Sequence, residues 1–416
     1  LPLRSIATII PGSARSDHAA VLDARRSWAK RYLPPPRERR ANAAVHQPDL
    51  RRPLRIGYVS AFFRYDNWMK PLWALINHHD RARFEIHLFS DAPRAAMPAT
   101  YRFHPNDRFH DISGIANDRV ADAIEAAELD ILVDLNGYSA AGRLGVVARK
   151  PAPIVVALFN MYAASGIAAY DYLIGDAEVI GEHEERWYTE TIVRVPGSYL
   201  TFSVDYAVPA VVAPPCLRSG AIAFGSLAPQ YKITPAVLDA WCRILAQVKS
   251  STMTLRNTAL GSARTREFVL SSFERRGVDR ERVRLFGPIA HEQFLATYDE
   301  IDIALDTFPY NGSTTTMEAM WQGVPVVTFR GDRWASRQSA SLLRAGNLGR
   351  FVAQDQAGYE ALAIALATSA GSGAELAELR STMRDRLRAA PVCNTASFAR
   401  AIEDQYLNMA SGVVSR

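Results

Sequence analysis

A repeated alternation restricts this chain more than any other feature. From Leu54 onward, apolar runs of strand length (LRIGYVSAFF, FEIHLFSD, DILVDLNGY, PIVVALFN and YDYLIGD) are separated by segments with helical spacing, such as Val120 to Leu129. A strand that is apolar along its whole length is buried on both faces, and strands that alternate with helices pair in parallel. The pattern predicts an open parallel sheet covered by helices. Clustered prolines in YAVPAVVAPPCLRSG interrupt it, and it restarts with AIAFGSL, STMTLRN, RVRLFGPI, IDIALDTF and VPVVTFRG. The expectation is an α/β chain with two doubly wound, Rossmann-like halves, which suits 416 residues, too many for one ordinary core. The first domain is expected over residues 53–207, a proline-rich linker over 208–217 and the second domain over 218–395. Residues 1–52 read as a lead-in, with an amphipathic stretch around Val21 to Tyr32 followed by LPPPRERR, whose prolines cannot continue a helix. Residues 396–416 hold a last helical stretch, Phe398 to Met409, expected to pack back across the halves.

Composition removes several function classes. No run reaches the ~18 apolar residues of a membrane span, and the start, LPLRSIATIIPGSARSDH, lacks the regions of a secretory signal. Its first residue is not Met, which reads as a sign of sequence upstream. Cys216, Cys242 and Cys393 are few, scattered and odd in number, which argues against a disulfide framework and points to the cytoplasm. The net charge of +5 is small, and its densest positive stretch, Arg25 to Arg55, reads as a solvated connector rather than a nucleic-acid contact. Neither nucleic acid nor a membrane is an expected partner. GxxxxGK[ST] is absent, no GxGxxG follows the first strand of either half, and no HExxH, paired CxxC or Asp-x-Asp suggests a protein-held metal.

The chemistry concentrates in DTFPYNGSTTTMEAMWQGVPVVTF, Asp306 to Phe329, which reads as a strand, a hydroxyl-rich bend and a helix. In open α/β sheets ligands sit beyond the carboxyl ends of strands, where helix N-termini present unpaired N–H groups. Asn311, Gly312, Ser313, Thr314, Thr315 and Thr316 suit a phosphate there, since glycine lets the backbone approach and the hydroxyls donate. The competing reading is an ordinary helix cap, for which one such residue suffices. Glu318, inside the same helix, suits ribose hydroxyls or the helix dipole. In PQYKITP, Thr234 is a natural cap and Pro235 a first helical residue, so Gln230 and Lys232 project from a strand-to-helix turn. Lys232, one of only five lysines, can neutralise a leaving diphosphate or be a solvated loop residue.

With these motifs the chain resembles the catalytic region of glycosyltransferase family 41, the O-GlcNAc transferase-like enzymes of bacterial type, from about Leu54 to Met409. The resemblance rests on the opening motif together with GDRWASRQSASLL, PQYKITP, DILVDLNGYSAAGR with KPAPIVV, and YDYLIGD. It implies a GT-B fold, two Rossmann-like domains facing a cleft. It also implies an inverting, metal-independent glycosyltransferase, without a cofactor, that moves GlcNAc or another hexose from a UDP-sugar such as UDP-GlcNAc to Ser or Thr hydroxyls of a protein or peptide. By motif, Lys232 contacts the diphosphate, Gln230, Thr314 and Thr315 border the phosphates, Glu318 stands where the animal enzyme has Asp and meets the ribose, and Ile289, Ala290 and His291 lie where the base is held. Arg337 also matches a motif position. Relatives often carry tetratricopeptide helices ahead of this region, and none is recognisable in residues 1–52.

The match frays in the first half. The family's loop with a His-Pro pair near the reaction centre reads AFFRYDNWMKP here, with Asp66 about where the histidine stands. Asp66 is the candidate base, with a surface loop residue as the plainer reading. The family's glycine- and proline-containing acceptor loop reads NMYAASG from Asn160 to Gly166. With Trp68 and Met69 nearby, this reads as a bulkier, more apolar acceptor side formed by Trp68, Asn160, Met161 and Tyr162. Two other readings stay open: a GDP-fucose, asparagine-directed or small-molecule glycosyltransferase on the same fold, and a non-catalytic nucleotide-sugar binder.

Overall fold

The structure, a computed structural model, describes residues 2–37, 51–139 and 142–412. The middle of the basic stretch (38–50), residues 140–141 of DLNGYSAAGR and the last four residues of the C-terminal segment (413–416) lie outside the described residues. The chain forms two compact units, Leu1–Asp205 with Asn394–Arg416, and Tyr206–Cys393.

Unit 1 runs α1 (Pro2–Ile9), α2 (His18–Tyr32), β1 (Leu54–Ser60), α3 (Asp66–Asn77), β2 (Phe84–Ser90), β3 (Arg108–Asp111), α4 (Asn117–Ala126), β4 (Ile131–Asp134), α5 (Leu144–Val147), β5 (Ile154–Ala157), β6 (Tyr172–Asp176) and β7 (Thr191–Val195). Unit 2 runs α6 (Cys216–Ser219), β8 (Ala223–Ser226), α7 (Pro235–Gln247), β9 (Thr252–Arg256), α8 (Ala263–Glu274), β10 (Val283–Phe286), α9 (His291–Ala296), β11 (Ile303–Leu305), α10 (Thr314–Trp321), β12 (Val326–Phe329), α11 (Gln338–Ala345), β13 (Val352–Ala353), α12 (Gln356–Thr368) and α13 (Ser372–Ala389). The last helix, α14 (Thr395–Ser411), belongs to unit 1.

Both sheets are parallel, ordered β3-β2-β1-β4-β5-β6-β7 and β10-β9-β8-β11-β12-β13. These are doubly wound, Rossmann-type α/β sheets, as the alternation predicts. In each, the first strand lies beside the fourth of its sheet, and chain connections diverge from that pair to leave a crevice at the carboxyl ends. The central strands β4, β6 and β8 are buried at every residue, which is why they read as unbroken apolar runs. The three strands missed from the sequence, β3, β7 and β13, all lie at sheet edges. Edge strands are half solvated, so β3 (RFHD) and β7 (TIVRV) carry polar residues that dilute the signal.

Helix ends follow local chemistry. Thr234 caps α7, accepting from the Val237 N–H, with Pro235 in the first turn. Asp17 caps α2, and the prolines from Pro34 follow its end at Tyr32. The stretch read as a lead-in thus supplies two helices to unit 1 and buries Val21, Leu22, Arg25 and Trp28. Helix α14 packs on α3 and β7. There Glu403 Oε1 accepts from the Asp80 N–H at 2.7 Å and lies 3.0 Å from His79 Nδ1, while the Tyr58 hydroxyl meets His79 Nε2 at 2.6 Å and the Tyr406 hydroxyl at 3.1 Å. Burial pushes the His79 pKa down. All three cysteines are free thiols. Among the described residues no helix is long and apolar enough to cross a membrane.

Candidate functional site

The crevice of unit 2 lies where the chain leaves β8 and β11. Ser226, Leu227 and Ala228 from the first strand, with Asp306, Thr315 and Thr316 from the second, line a small recess there. Helix α10 begins at this point. Ser313 occupies its N-cap position at φ −134°, ψ −78°, yet its side chain makes no capping hydrogen bond. The ordinary-cap reading of the hydroxyl row is therefore not what the fold uses. Ser313, Thr314 and Thr315 stay half-buried at a helix terminus whose first-turn N–H groups carry the positive end of the dipole. Thr316 departs from the row: it is buried, and its hydroxyl lies 2.8 Å from that of Ser339 on α11.

Asp306 braces the bend. One carboxylate oxygen accepts from the backbone N–H groups of Thr307 and Gly312, both at 2.8 Å, and the other accepts from the Thr328 hydroxyl at 2.8 Å. Burial pushes its pKa up, and these hydrogen bonds oppose the shift. A side chain at Gly312 would displace the hydroxyls, because a Cβ would come within 2.5 Å of Thr316 Oγ1 and 2.8 Å of Thr315 Oγ1. Asn311 is buried, with its N–H donating to the Ala335 carbonyl and its Nδ2 to the Thr307 carbonyl, while its Oδ1 has no hydrogen-bond partner. The Tyr298 hydroxyl donates to the Thr315 carbonyl at 2.9 Å, fixing the first turn of α10 from behind.

Lys232 comes to the same bend from the turn after β8. It is only 7% exposed, so the solvated-loop reading fails. Its Nζ donates to the Asn311 carbonyl at 2.6 Å and sits 3.8 Å above the Tyr310 ring. Burial pushes its pKa down to about 8, with the Asp306 carboxylate pulling the other way. Gln230, two residues earlier, accepts from Asn257 Nδ2 at 3.3 Å. An ammonium, an uncapped helix terminus and hydroxyls on one bend suit an anion with several oxygens.

Glu318 is buried, one turn further along α10, with Oε1 3.6 Å from Nε2 of His291, the first residue of α9. The His291 ring lies 6.0 Å from that of Tyr206 and 6.1 Å from that of Phe294, while Ile289 and Ala290 before it are exposed. Arg337 is buried at the start of α11, where its Nε donates to the Gly331 carbonyl at 2.8 Å. It is fastened to the loop after β12, and that loop is joined to the bend through Asn311 and Ala335. Asp306, Tyr298 and Ser339 were missed by sequence reasoning. Asp306 and Ser339 stand inside the quoted motifs, but their roles as braces need contacts that no local pattern encodes.

The acceptor-side candidates lie in unit 1. Asp66 is in the first turn of α3 rather than in an open loop, and its carboxylate accepts from the Thr100 hydroxyl. A carboxylate there also favours the helix terminus. Trp68 is 45% exposed and lies tilted against Phe62, 4.9 Å between centroids. Met69 and Met161 are buried, so they build core and do not make an apolar acceptor surface. Asn160 donates from Nδ2 to the Leu135 carbonyl at 2.9 Å and accepts from the Tyr162 hydroxyl at 2.6 Å. Phe159 and Tyr162 hold left-handed backbone at φ 79° and 57° although neither is glycine.

Known proteins resemble this chain along most of its length. The model for glycosyl transferase family 41 matches residues 41–208 and 213–402. A probable UDP-N-acetylglucosamine–peptide N-acetylglucosaminyltransferase, SPINDLY of Hordeum vulgare, is 34% identical over 395 residues, covering 93% of this chain and 41% of its own length. This chain therefore spans well under half of such relatives. A solved O-GlcNAc transferase mutant from Thermobaculum terrenum superposes with a TM-score of 0.87 at 33% identity, over 99% of this chain and 78% of that one. Sucrose-phosphate synthase from Thermosynechococcus elongatus, at 12% identity, covers 86% of this chain and 99% of its own with a TM-score of 0.50, and shares the fold alone.

Proposed function

Because this chain belongs to glycosyl transferase family 41, we propose that it transfers a sugar, GlcNAc or another hexose, from a UDP-sugar to Ser or Thr hydroxyls of a polypeptide. Unit 2 holds the donor. The diphosphate lies at the Ser313–Thr315 turn and the N-terminus of α10, the ribose meets Glu318, and the base lies by Ile289, Ala290 and His291. Arg337 and Gln230 position the loops that border the phosphates. Thr316 and Asn311 shape the bend from inside.

The acceptor oxygen attacks the anomeric carbon on the face opposite the diphosphate. A new C–O bond forms as the bond to the phosphate oxygen breaks, the hydroxyl proton is released to water, the electron pair leaves with UDP, and the configuration inverts. The leaving charge is met by the Lys232 ammonium and the first-turn N–H groups of α10, which are already aimed at the bend and need no reorganisation. The observation that carries this reading is the buried Lys232, held 2.6 Å from the Asn311 carbonyl in the loop that opens α10. A lysine is buried at such cost only where an anion repays it or a partner is supplied, and here the neighbouring groups are a carbonyl, an aromatic face and the Asp306 carboxylate, whose oxygens already brace the bend.

The test is mass spectrometry of lysate proteins and a Ser/Thr peptide library incubated with the chain and candidate nucleotide sugars, with UDP and GDP as competing ligands. Label on hydroxyls, competition by UDP rather than GDP, and a loss of ~10²–10³-fold in turnover for a Lys232→Ala variant that still unfolds cooperatively are expected. Normal turnover by that variant overturns the assignment. UDP binding without transfer to any protein overturns the enzymatic part.

A further inference from the structure

The helices read as a lead-in place one arginine at the acceptor-side loop. Arg25, in the middle of α2, is 1% exposed. Its NH1 donates to three carbonyls of the NMYAASG loop: Met161 at 3.0 Å, Ala163 at 3.3 Å and Ala164 at 2.8 Å. Its Nε donates to the Ala7 carbonyl of α1 at 3.0 Å, and its guanidinium lies 4.1 Å above the Tyr138 ring, in the loop after β4. The Tyr138 hydroxyl in turn donates to the Ser165 carbonyl at 2.6 Å. One planar cation thus ties α1, α2 and the loops after β4 and β5 together.

The loop needs such a tie. It contains no proline, its single glycine, Gly166, stands at its far end, and it holds Tyr162 in a left-handed conformation that a non-glycine residue resists. Carbonyls of an irregular turn have no sheet or helix partner, and Arg25 supplies one donor group to three of them. At the far end, Gly166 (φ +68°) lets α2 come close, since a Cβ there would lie 2.8 Å from the Arg26 nitrogen and 3.0 Å from Arg25 Cβ. Contact on this scale is a built interface within unit 1.

We propose that Arg25 is a positioning residue for the transfer reaction, fixing the Asn160–Gly166 loop in the conformation that receives the polypeptide acceptor. This rests on the function proposed above. Arg25 touches no reacting group and acts through loop carbonyls. Lysine cannot replace it, because a single ammonium at the end of a flexible stem cannot serve the loop and Ala7 together while lying flat on Tyr138.

The experiment compares the intact chain with Arg25→Lys, using acceptor peptide kinetics, UDP binding and hydrogen exchange of the loop amides. The expected result is at least tenfold faster exchange at residues 160–166 and a fivefold or greater rise in acceptor KM, with UDP affinity unchanged within twofold, all relative effects of the size that loop misplacement brings. Altered thermal stability with loop exchange and acceptor KM both unchanged overturns the proposal, as does an equal loss of UDP affinity. Should Arg25→Lys not fold, Gly166→Ala decides by the same readings, because it presses on the same contact from the loop side. A parent chain that transfers no sugar refutes the function instead, and the exchange measurement then still reports whether Arg25 holds the loop.

Discussion

The two units have the same strand order at their crevices and use it differently. In unit 1 the crevice between β1 and β4 is filled by the chain itself: Asn136 Oδ1 accepts from the Ala61 N–H at 2.9 Å, and Asp134 accepts from the Asn136 and Gly137 N–H groups at 3.0 Å and from the Tyr170 hydroxyl at 2.5 Å. In unit 2 the matching aspartate, Asp306, also accepts from two backbone N–H groups and a hydroxyl, those of Thr307, Gly312 and Thr328, but these bonds bend the chain outward into a glycine and hydroxyl turn that leaves α10 without a side-chain cap. Burial pushes both aspartate pKa values up, and hydrogen bonds oppose it in both. The shared aspartate is therefore scaffold. The site arises from what the braced loop presents.

That contrast can be broken most directly at the aspartates. Asp306→Ala and Asp134→Ala each orphan buried donors at ~1–3 kcal/mol per group, so both should lose roughly 3 kcal/mol or more of stability in thermal unfolding. Only Asp306→Ala should also weaken UDP binding, by more than about tenfold in calorimetry, because only that loop is proposed to meet the phosphates. Equal losses of nucleotide affinity in the two variants would end the distinction.

The pH dependence of unit 2 gives the next effect. Lys232 has a pKa of about 8 in the folded chain against an ordinary 10.5. Between those values the unfolded chain holds a proton that the folded chain has lost, so stability rises with pH over that window. Burying the charged lysine costs on the order of 3 kcal/mol below it. A bound diphosphate restores the proton, so UDP affinity should fall above about pH 8, towards tenfold per pH unit. Titrations of UDP binding against pH check this, and Lys232→Met should flatten the profile. A flat profile in the unaltered chain would remove Lys232 from the diphosphate.

The smallest expected effect sharpens the reading of the hydroxyl row. Ser313 makes no capping bond, so Ser313→Ala should change stability by less than about 0.5 kcal/mol, where loss of a true cap costs ~1 kcal/mol. Its UDP affinity should fall a few-fold. A full capping loss in the melting curve with unaltered UDP binding would return Ser313 to an ordinary helix end.

Much of this was legible because the signals are local. Buried central strands announce themselves as apolar runs, Thr234 with Pro235 marks the start of α7, and a hydroxyl row after a strand marks a helix terminus at a carboxyl edge. Edge strands were lost because solvent dilutes their pattern. The sequence does not show that Met69 and Met161, counted with the acceptor side, point into the core, because side-chain direction in a loop or first helical turn depends on packing, and no local cap announces that α3 begins at Asp66.

By itself the sequence determined the class of fold, two wound halves, and the residue types gathered at the Asp306–Phe329 motif, since periodicity and turn chemistry act over a few residues. Tertiary structure alone decided which of those residues brace and which are presented: Thr316 turned inward to Ser339, Lys232 was buried against Asn311, and Arg25 was carried from the first helices to a loop 136 residues away in the chain. The physical reason is that hydrogen-bond satisfaction and burial are settled between segments far apart in sequence, where each polar group must find a partner that only the assembled sheet brings within reach.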